Sequence, residues 1–149
     1  MSRQENKGIP FRLVDITTEE FATFKENYQP DNSEYTIELG VEFKVNKSNQ
    51  LLGLFSRFTF NQDHNPVLLL ESGCHFQIQP DFWEELEDDK GLIIPSGFAT
   101  HLLILAVGTA RGIIHAKKPG WLENLVLTTI DVSKVFGEEG IHIGLTEGE

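Results

Sequence analysis

The segment that follows Pro95 constrains this chain more than any other, because it predicts a helix that is apolar around about 200° of its surface. Pro95 and Ser96 mark the start, and the helical pattern runs to about Ala116. An ordinary surface helix needs an apolar stripe of only about 100°. The helix must therefore be covered from two directions. Its uninterrupted apolar arc consists of Phe98, Ala99, Leu102, Leu103, Leu105, Ala106, Val107, Ala110, Ile113 and Ile114.

This excess of apolar surface predicts that the protein is an oligomer. One sheet covers only part of the arc, and no other segment of the chain is a convincing second helix. The second layer is then most simply another copy of the protein. Gly108 and Gly112 lie beside the arc, together with His101 and His115. A glycine in a helix interior costs about 1 kcal/mol relative to alanine, a cost that is tolerable where a neighbouring backbone must approach closely. The predicted oligomer interface comprises Phe98, Leu102, Leu105, Gly108 and Gly112.

Three long strands precede the helix. Residues 35–45 alternate apolar and polar side chains without a break, which predicts a strand with one buried and one exposed face. Similar patterns over 51–60 and 67–78 follow, separated by turn-forming residues, so the three form an antiparallel meander. An edge strand is predicted over 9–16, resuming at 21–24. The fold class is therefore α+β.

Composition restricts the partners of the chain. Its 149 residues favour one domain, and its formal net charge of -11 disfavours nucleic acid and anionic membranes, which would be repelled. A basic protein partner fits this charge, and so does a surface that is acidic only for solubility. The first eight residues lack the apolar core of a signal peptide, and the run Leu102–Val107 is far shorter than the ~20 residues of a membrane span. We expect a cytoplasmic protein without a membrane segment.

The sequence offers little for catalysis. It contains no nucleophile-elbow motif, no zinc-protease motif and no phosphate-binding glycine loop. Cys74 and His75 are adjacent on one predicted strand and therefore point to opposite faces. His101 and His115 share one side of the helix without a cysteine or carboxylate spaced to complete a metal site. We expect no enzyme activity, no cofactor and no metal. A small-ligand-binding or catalytic domain with a pocket between sheet and helix is the alternative, and a purely structural oligomer is another.

Several short motifs occur in a particular order along residues 11–136. Lys-Glu-Asn-Tyr-Gln-Pro at 25–30 precedes the alternating strand, and Gly-Cys-His-Phe-Gln-Ile at 73–78 ends the last long strand. The helix starts with Ile94-Pro95-x-x-Phe98-Ala99 and ends with Ala110-Arg111-Gly112, after which 125–136 reads Leu-Val-Leu-x-x-Ile-Asp-Val-x-x-Val-Phe. This order resembles the SecB family of export chaperones.

The resemblance implies a four-stranded antiparallel sheet with one long apolar helix packed on one face. It also implies a homotetramer, built as a dimer of dimers through the long helices. The SecB-like domain would span 9–136, between a flexible N-terminus at 1–8 and a flexible acidic tail at 137–149. The helix that follows the crossover in that family is not expected here, because Gly137 and Gly140 do not sustain one.

The function implied by the resemblance is ATP-independent holding of unfolded polypeptides or preproteins. Protein export is one setting for this activity, and general or toxin–antitoxin-associated chaperoning is another. Glu38 and Glu42 offer negative charge on an exposed strand face, where the family contacts the translocase motor SecA. The candidate polypeptide-binding groove, in or beside the loops that match the family's crossover, consists of Tyr28, Trp121, Leu122, Leu125, Leu127, Val135 and Phe136.

Overall fold

A computed structural model describes residues 10–144 of the chain. The predicted flexible N-terminus at 1–8 and the last five residues lie outside this range. The four long strands come first in the chain: β1 Phe11–Thr23, β2 Thr36–Asn46, β3 Leu51–Gln62 and β4 Asn65–Ile78. A second group follows: helix α1 Pro80–Leu86, strands β5 Glu87–Asp88 and β6 Gly91–Ile94, helix α2 Ser96–Lys117 and strand β7 Ile141–Gly144.

The four long strands form one antiparallel sheet in the order β1-β4-β3-β2, which we call the main sheet. The meander β2–β3–β4 and the edge strand β1 agree with the sequence analysis. Strand β1 carries two bulges against β4, at Val14 and at Glu19, where an additional residue interrupts the register. The predicted fold class, α+β with a four-stranded antiparallel sheet and one long helix, is confirmed.

Helix α2 lies across one face of the main sheet and contacts its two central strands, β3 and β4. It begins and ends within a residue of the predicted bounds. It is long and apolar enough to cross a membrane by length and composition, a criterion that core helices of soluble proteins also meet. The side of α2 that is buried consists of Ala99, Leu102, Leu103, Ala106, Val107, Ala110 and Ile114.

Small side chains lie at the centre of the helix–sheet contact. Ser56 of β3 and Ser72 of β4 are paired across the strands on the core face and are fully buried. Alanines on the buried side of α2 add no bulk, so helix and sheet approach closely. Neither serine hydroxyl has a hydrogen-bond partner within residues 10–144. Burying such a group costs about 1–3 kcal/mol.

The last strand corrects one prediction from the sequence. We expected a flexible acidic tail from residue 137, whereas β7 pairs with β6 in a three-stranded antiparallel sheet of order β5-β6-β7, the small sheet. The apolar alternation at Ile141 and Ile143 is too short to stand out among glycines and glutamates. The strand forms because β6 supplies a partner that the local sequence does not reveal.

The acidic segment 81–90 contains helix α1, whose glutamates point outward. However, Trp83 and Leu86 lie three residues apart on one side of α1 and are buried in the core. In the sequence, the many acidic residues of this segment obscure the apolar side of a short amphipathic helix.

The buried hydroxyls give a stability test. Ser72→Ala removes a hydroxyl without a partner, so we expect the free energy of unfolding to rise by about 1 kcal/mol in urea titrations. Ser48→Ala, in the exposed turn between β2 and β3, is the matched control and should change stability by less than about 0.5 kcal/mol. A loss of stability in Ser72→Ala would mean that this hydroxyl does find a partner.

Candidate functional site

The segment after α2 is extended but belongs to neither sheet. A short 3-10 turn at Gly120–Leu122 reverses the chain, and residues 125–132 then run without regular secondary structure. Leu125 and Leu127 are buried, whereas Val126 between them is 52% exposed. This alternation is that of a strand without a neighbour.

Two cationic side chains of the helix end hold this segment by its carbonyl groups. Arg111 donates from Nε to the carbonyl oxygen of Leu127 at 2.6 Å and from its terminal NH2 to that of Thr128 at 3.1 Å. Lys118 Nζ donates to the carbonyl oxygens of Glu123 and Leu125 at 2.7 and 2.9 Å. Within the described residues, the main-chain N–H groups from Val126 to Val132 donate no hydrogen bond. The segment is therefore anchored by its acceptors, and the donors of its exposed residues, such as Val126, have no partner within the described residues.

An apolar cleft of about 350 Å³ lies between the C-terminal half of α2 and this segment. Its volume is at the low end of the range for ligand pockets, and its mostly apolar walls suit aliphatic or aromatic side chains. The alternative prediction expected a pocket between helix and sheet, where core side chains such as Leu102 and Phe58 are fully buried. The cleft lies elsewhere and is lined by Arg111, Gly112, Ile114, His115, Leu125, Val126 and Leu127.

The predicted groove residues fall into three different environments. Leu122, Leu125 and Leu127 are buried, so Leu122 belongs to the core and the other two form the floor of the cleft. Tyr28 and Trp121 are half-buried and pack on each other, with ring centroids 5.1 Å apart.

The other two predicted groove residues lie further along the chain. Val135 is exposed, and Phe136 packs on Phe43 of β2 at 5.8 Å. The sequence analysis did not select Val126 or assign a role to Arg111. The alternation at 125–127 was the signal for Val126, whereas the reach of Arg111 to carbonyls is a tertiary feature.

The predicted oligomer interface is only partly exposed. Leu102 is completely buried against the main sheet and cannot meet a second copy, which corrects that assignment. Phe98 is half-buried, because its ring packs on Phe11 and Phe82 at 5.1 Å each. The predicted interface combined a residue from the sheet side of α2, Leu102, with residues from its outward side, such as Leu105.

The outward side of α2 nevertheless presents a strip without charge, which we call the outer strip. Leu105, Gly108 and Gly112 belong to it, and no other part of the described chain lies near the two glycines. Ile104, which the sequence analysis omitted, is 54% exposed. The complete outer strip is Gly97, His101, Ile104, Leu105, Gly108, Gly112 and His115.

Glu38 and Glu42 are exposed on β2, on the face of the main sheet away from α2. That face is mixed in charge, since Arg57 bonds to Glu20 at 3.0 Å and lies 3.6 Å from Glu71.

The aromatic ring of Phe55 lies on this face among the charged side chains. Phe55 covers Gly53 and Gly73, and a Cβ atom at Gly73 would lie 2.7 Å from the ring. Lys44 Nζ lies 4.7 Å from the centroid of this ring, and the His75 ring lies 5.3 Å from it. The face is therefore a patchwork of charges around one covered aromatic ring.

The single cysteine of the chain, Cys74, is buried. Burial raises the pKa of the Cys74 thiol, which disfavours the reactive thiolate. His75 lies on the opposite face, 3.1 Å from Thr17 Oγ1. Within residues 10–144, no three His, Cys, Asp or Glu side chains are grouped as they would be to bind a metal ion.

No protein-family model matches the chain, and no curated protein matches it either.

The anchoring of the extended segment can be tested directly. Arg111→Met keeps the aliphatic stem but removes both hydrogen bonds to carbonyls, so the free energy of unfolding should fall by about 1–2 kcal/mol. Amide hydrogen exchange at Leu125, whose N–H donates to the carbonyl oxygen of Leu122, should accelerate at the same time. Lys134→Met, at an exposed position, is the matched control and should change neither quantity. Unchanged exchange at Leu125 in Arg111→Met would contradict the anchoring role.

Proposed function

We propose that the protein is an ATP-independent chaperone that holds unfolded polypeptides or preproteins. The observation that supports this most is the segment 125–132, which is extended, offers main-chain donors without partners and borders an apolar cleft. An unfolded chain has free carbonyl groups and exposed apolar side chains, and this surface complements both.

The proposed binding mode is strand addition. An extended client accepts hydrogen bonds from the N–H groups of the segment, and alternate side chains of the client enter the cleft. Main-chain bonding is independent of client sequence, and hydrophobic contact is non-directional, so many clients can bind. The rigid anchoring by Arg111 and Lys118 lowers the ordering cost, because the protein side is already extended.

We further propose that copies of the chain associate through the outer strip of α2. Seven exposed positions without a charge would be an unusual helix surface on a monomer with a net charge of -11. The open glycines Gly108 and Gly112 admit a second helix backbone at short distance, and an identical strip is its own complement across a two-fold axis. Leu13 and Ile16 of β1 extend the apolar surface on the helix side of the sheet. A dimer of dimers is the arrangement implied by the resemblance to SecB.

Two parts of the proposal rest on that resemblance alone. One is SecA as a partner for the face that carries Glu38 and Glu42, with the cytoplasm as the compartment. The other is a role in protein export rather than in general chaperoning.

The holding activity is tested by light scattering from a refolding, aggregation-prone client mixed with equimolar protein. Val126→Asp places a charge at the mouth of the cleft and should weaken the suppression of aggregation several-fold. Thr36→Asp is the matched control, because threonine has the shape of valine and Thr36 lies on the exposed face of β2, away from the cleft. This variant should suppress aggregation as the unchanged protein does. Scattering that the unchanged protein fails to reduce would refute the chaperone function.

The assembly is tested by sedimentation or light scattering in solution. The unchanged protein should have the mass of four 16.8 kDa chains. The double variant Ile104→Asp, Leu105→Asp should dissociate, because two carboxylates would be desolvated within the interface. The fold should remain intact, since both side chains are exposed in the single chain. If the unchanged protein sediments as a monomer, the proposed interface is refuted.

A further inference from the structure

Strand β7 fits β6 through close backbone contacts at both of its ends. Gly91 in β6 has φ +151°, and a Cβ atom there would collide with the carbonyl group of Ile143. Gly140, immediately before β7, has φ +78°, and a Cβ atom there would collide with the carbonyl group of Ile94. Both positions therefore require glycine. The edge of β6 is shaped to receive an extended backbone at a distance that side chains would prevent.

The contact between the two strands is specific in its side chains but small. Ile141 and Ile143 pair with Ile94 and Leu92, which are fully buried. The two isoleucines of β7 are themselves only half-buried, and His142 between them is exposed. Four residues give few hydrogen bonds, so the strand is held weakly compared with the strands of the main sheet.

The chain on the N-terminal side of β7 allows it to leave. Between the 3-10 turn at Gly120–Leu122 and β7, residues 123–140 form no helix or strand. Release of β7 would therefore unpair no strand other than β6, and it would also end the contacts of β7 with β2. It would leave β6 as an edge strand with unpaired main-chain groups beside Leu92 and Ile94. Such an edge is a template for any extended polypeptide.

We propose that the edge of β6 is a polypeptide-docking site whose resident occupant is β7. An extended client segment with aliphatic residues at alternate positions, as in Ile-x-Ile, takes the place of β7. This inference rests on the proposed chaperone function for the identity of the client, although the site is different from the cleft beside α2. The strand β7 then acts as an internal competitor, which lowers the affinity of the resting protein for clients.

A pair of glycine variants of the full chain separates release of β7 from loss of the site. Gly140→Ala disturbs only the occupant, because the added Cβ atom lies on the segment that leaves. Gly91→Ala disturbs both partners, because its Cβ atom stays in β6 and blocks any backbone that docks there. Faster amide exchange at Ile143 in both variants would verify that β7 is released. If Gly140→Ala does not release it, the double variant Ile141→Asp, Ile143→Asp replaces it.

The probe is a fluorescent peptide with the sequence of residues 138–149, titrated by anisotropy. We expect Gly140→Ala to bind it at least ten-fold more tightly than the unchanged protein, and Gly91→Ala to show no gain. A second peptide, with the alternating sequence of Thr36–Asn46, should follow the same order. Equal gain in both variants, or no gain after verified release, would refute the docking site.

Two further outcomes test the identity of the client separately from the existence of the docking site. Binding of the 138–149 peptide alone would show that β6 recognises only its own strand, and the client assignment would be wrong. Failure of the unchanged protein and of Gly140→Ala to suppress client aggregation, with peptide binding as expected, would refute the chaperone function and leave the β6 site in place. The two proposals therefore fail through different measurements.

Discussion

The packing of α2 on strands β3 and β4 is the contact on which the rest of the structure depends. The helix covers the centre of the main sheet, where the small side chains of Ser56 and Ser72 leave room for it. This arrangement accepts two buried hydroxyls without partners in exchange for a close approach of helix and sheet. It also fixes the direction in which the chain leaves α2. Arg111 and Lys118 can hold the extended segment only because the last turns of the helix are themselves immobilised by the core.

The sequence predicted the elements that repeat a pattern over many residues. Eleven alternating residues from Tyr35 to Val45 leave no doubt about a strand, and a helix such as α2 is visible from its composition alone. Short elements were missed for the opposite reason. Strand β7 consists of four residues, and its partner β6 lies about fifty positions earlier in the chain. A pairing of that kind depends on tertiary contacts that no local pattern contains.

The sequence named residues in or beside the crossover loops as a candidate groove, yet Leu122, Leu125 and Leu127 proved to be buried. A strand that is buried on one side looks the same in sequence whether its apolar face meets the core or a client. Exposure of Val126 and the carbonyl contacts of Arg111 are decided by which side of the segment faces α2. The buried position of Leu102 has a similar cause, since an apolar helix residue looks the same in sequence whether it faces the sheet or a second copy.

The two bulges in β1 gain a consequence if the protein holds unfolded chains, as proposed above. A holder must expose surfaces that bind extended polypeptide, and a flat free edge on its own main sheet would bind other copies in the same way. The extra residues at Val14 and Glu19 break the edge of β1 into short stretches and increase its twist. Two such edges cannot form a long continuous ladder, so pairing of two molecules through β1 is limited to a few hydrogen bonds. The irregular edge of β1 thus disfavours fibril formation through this strand.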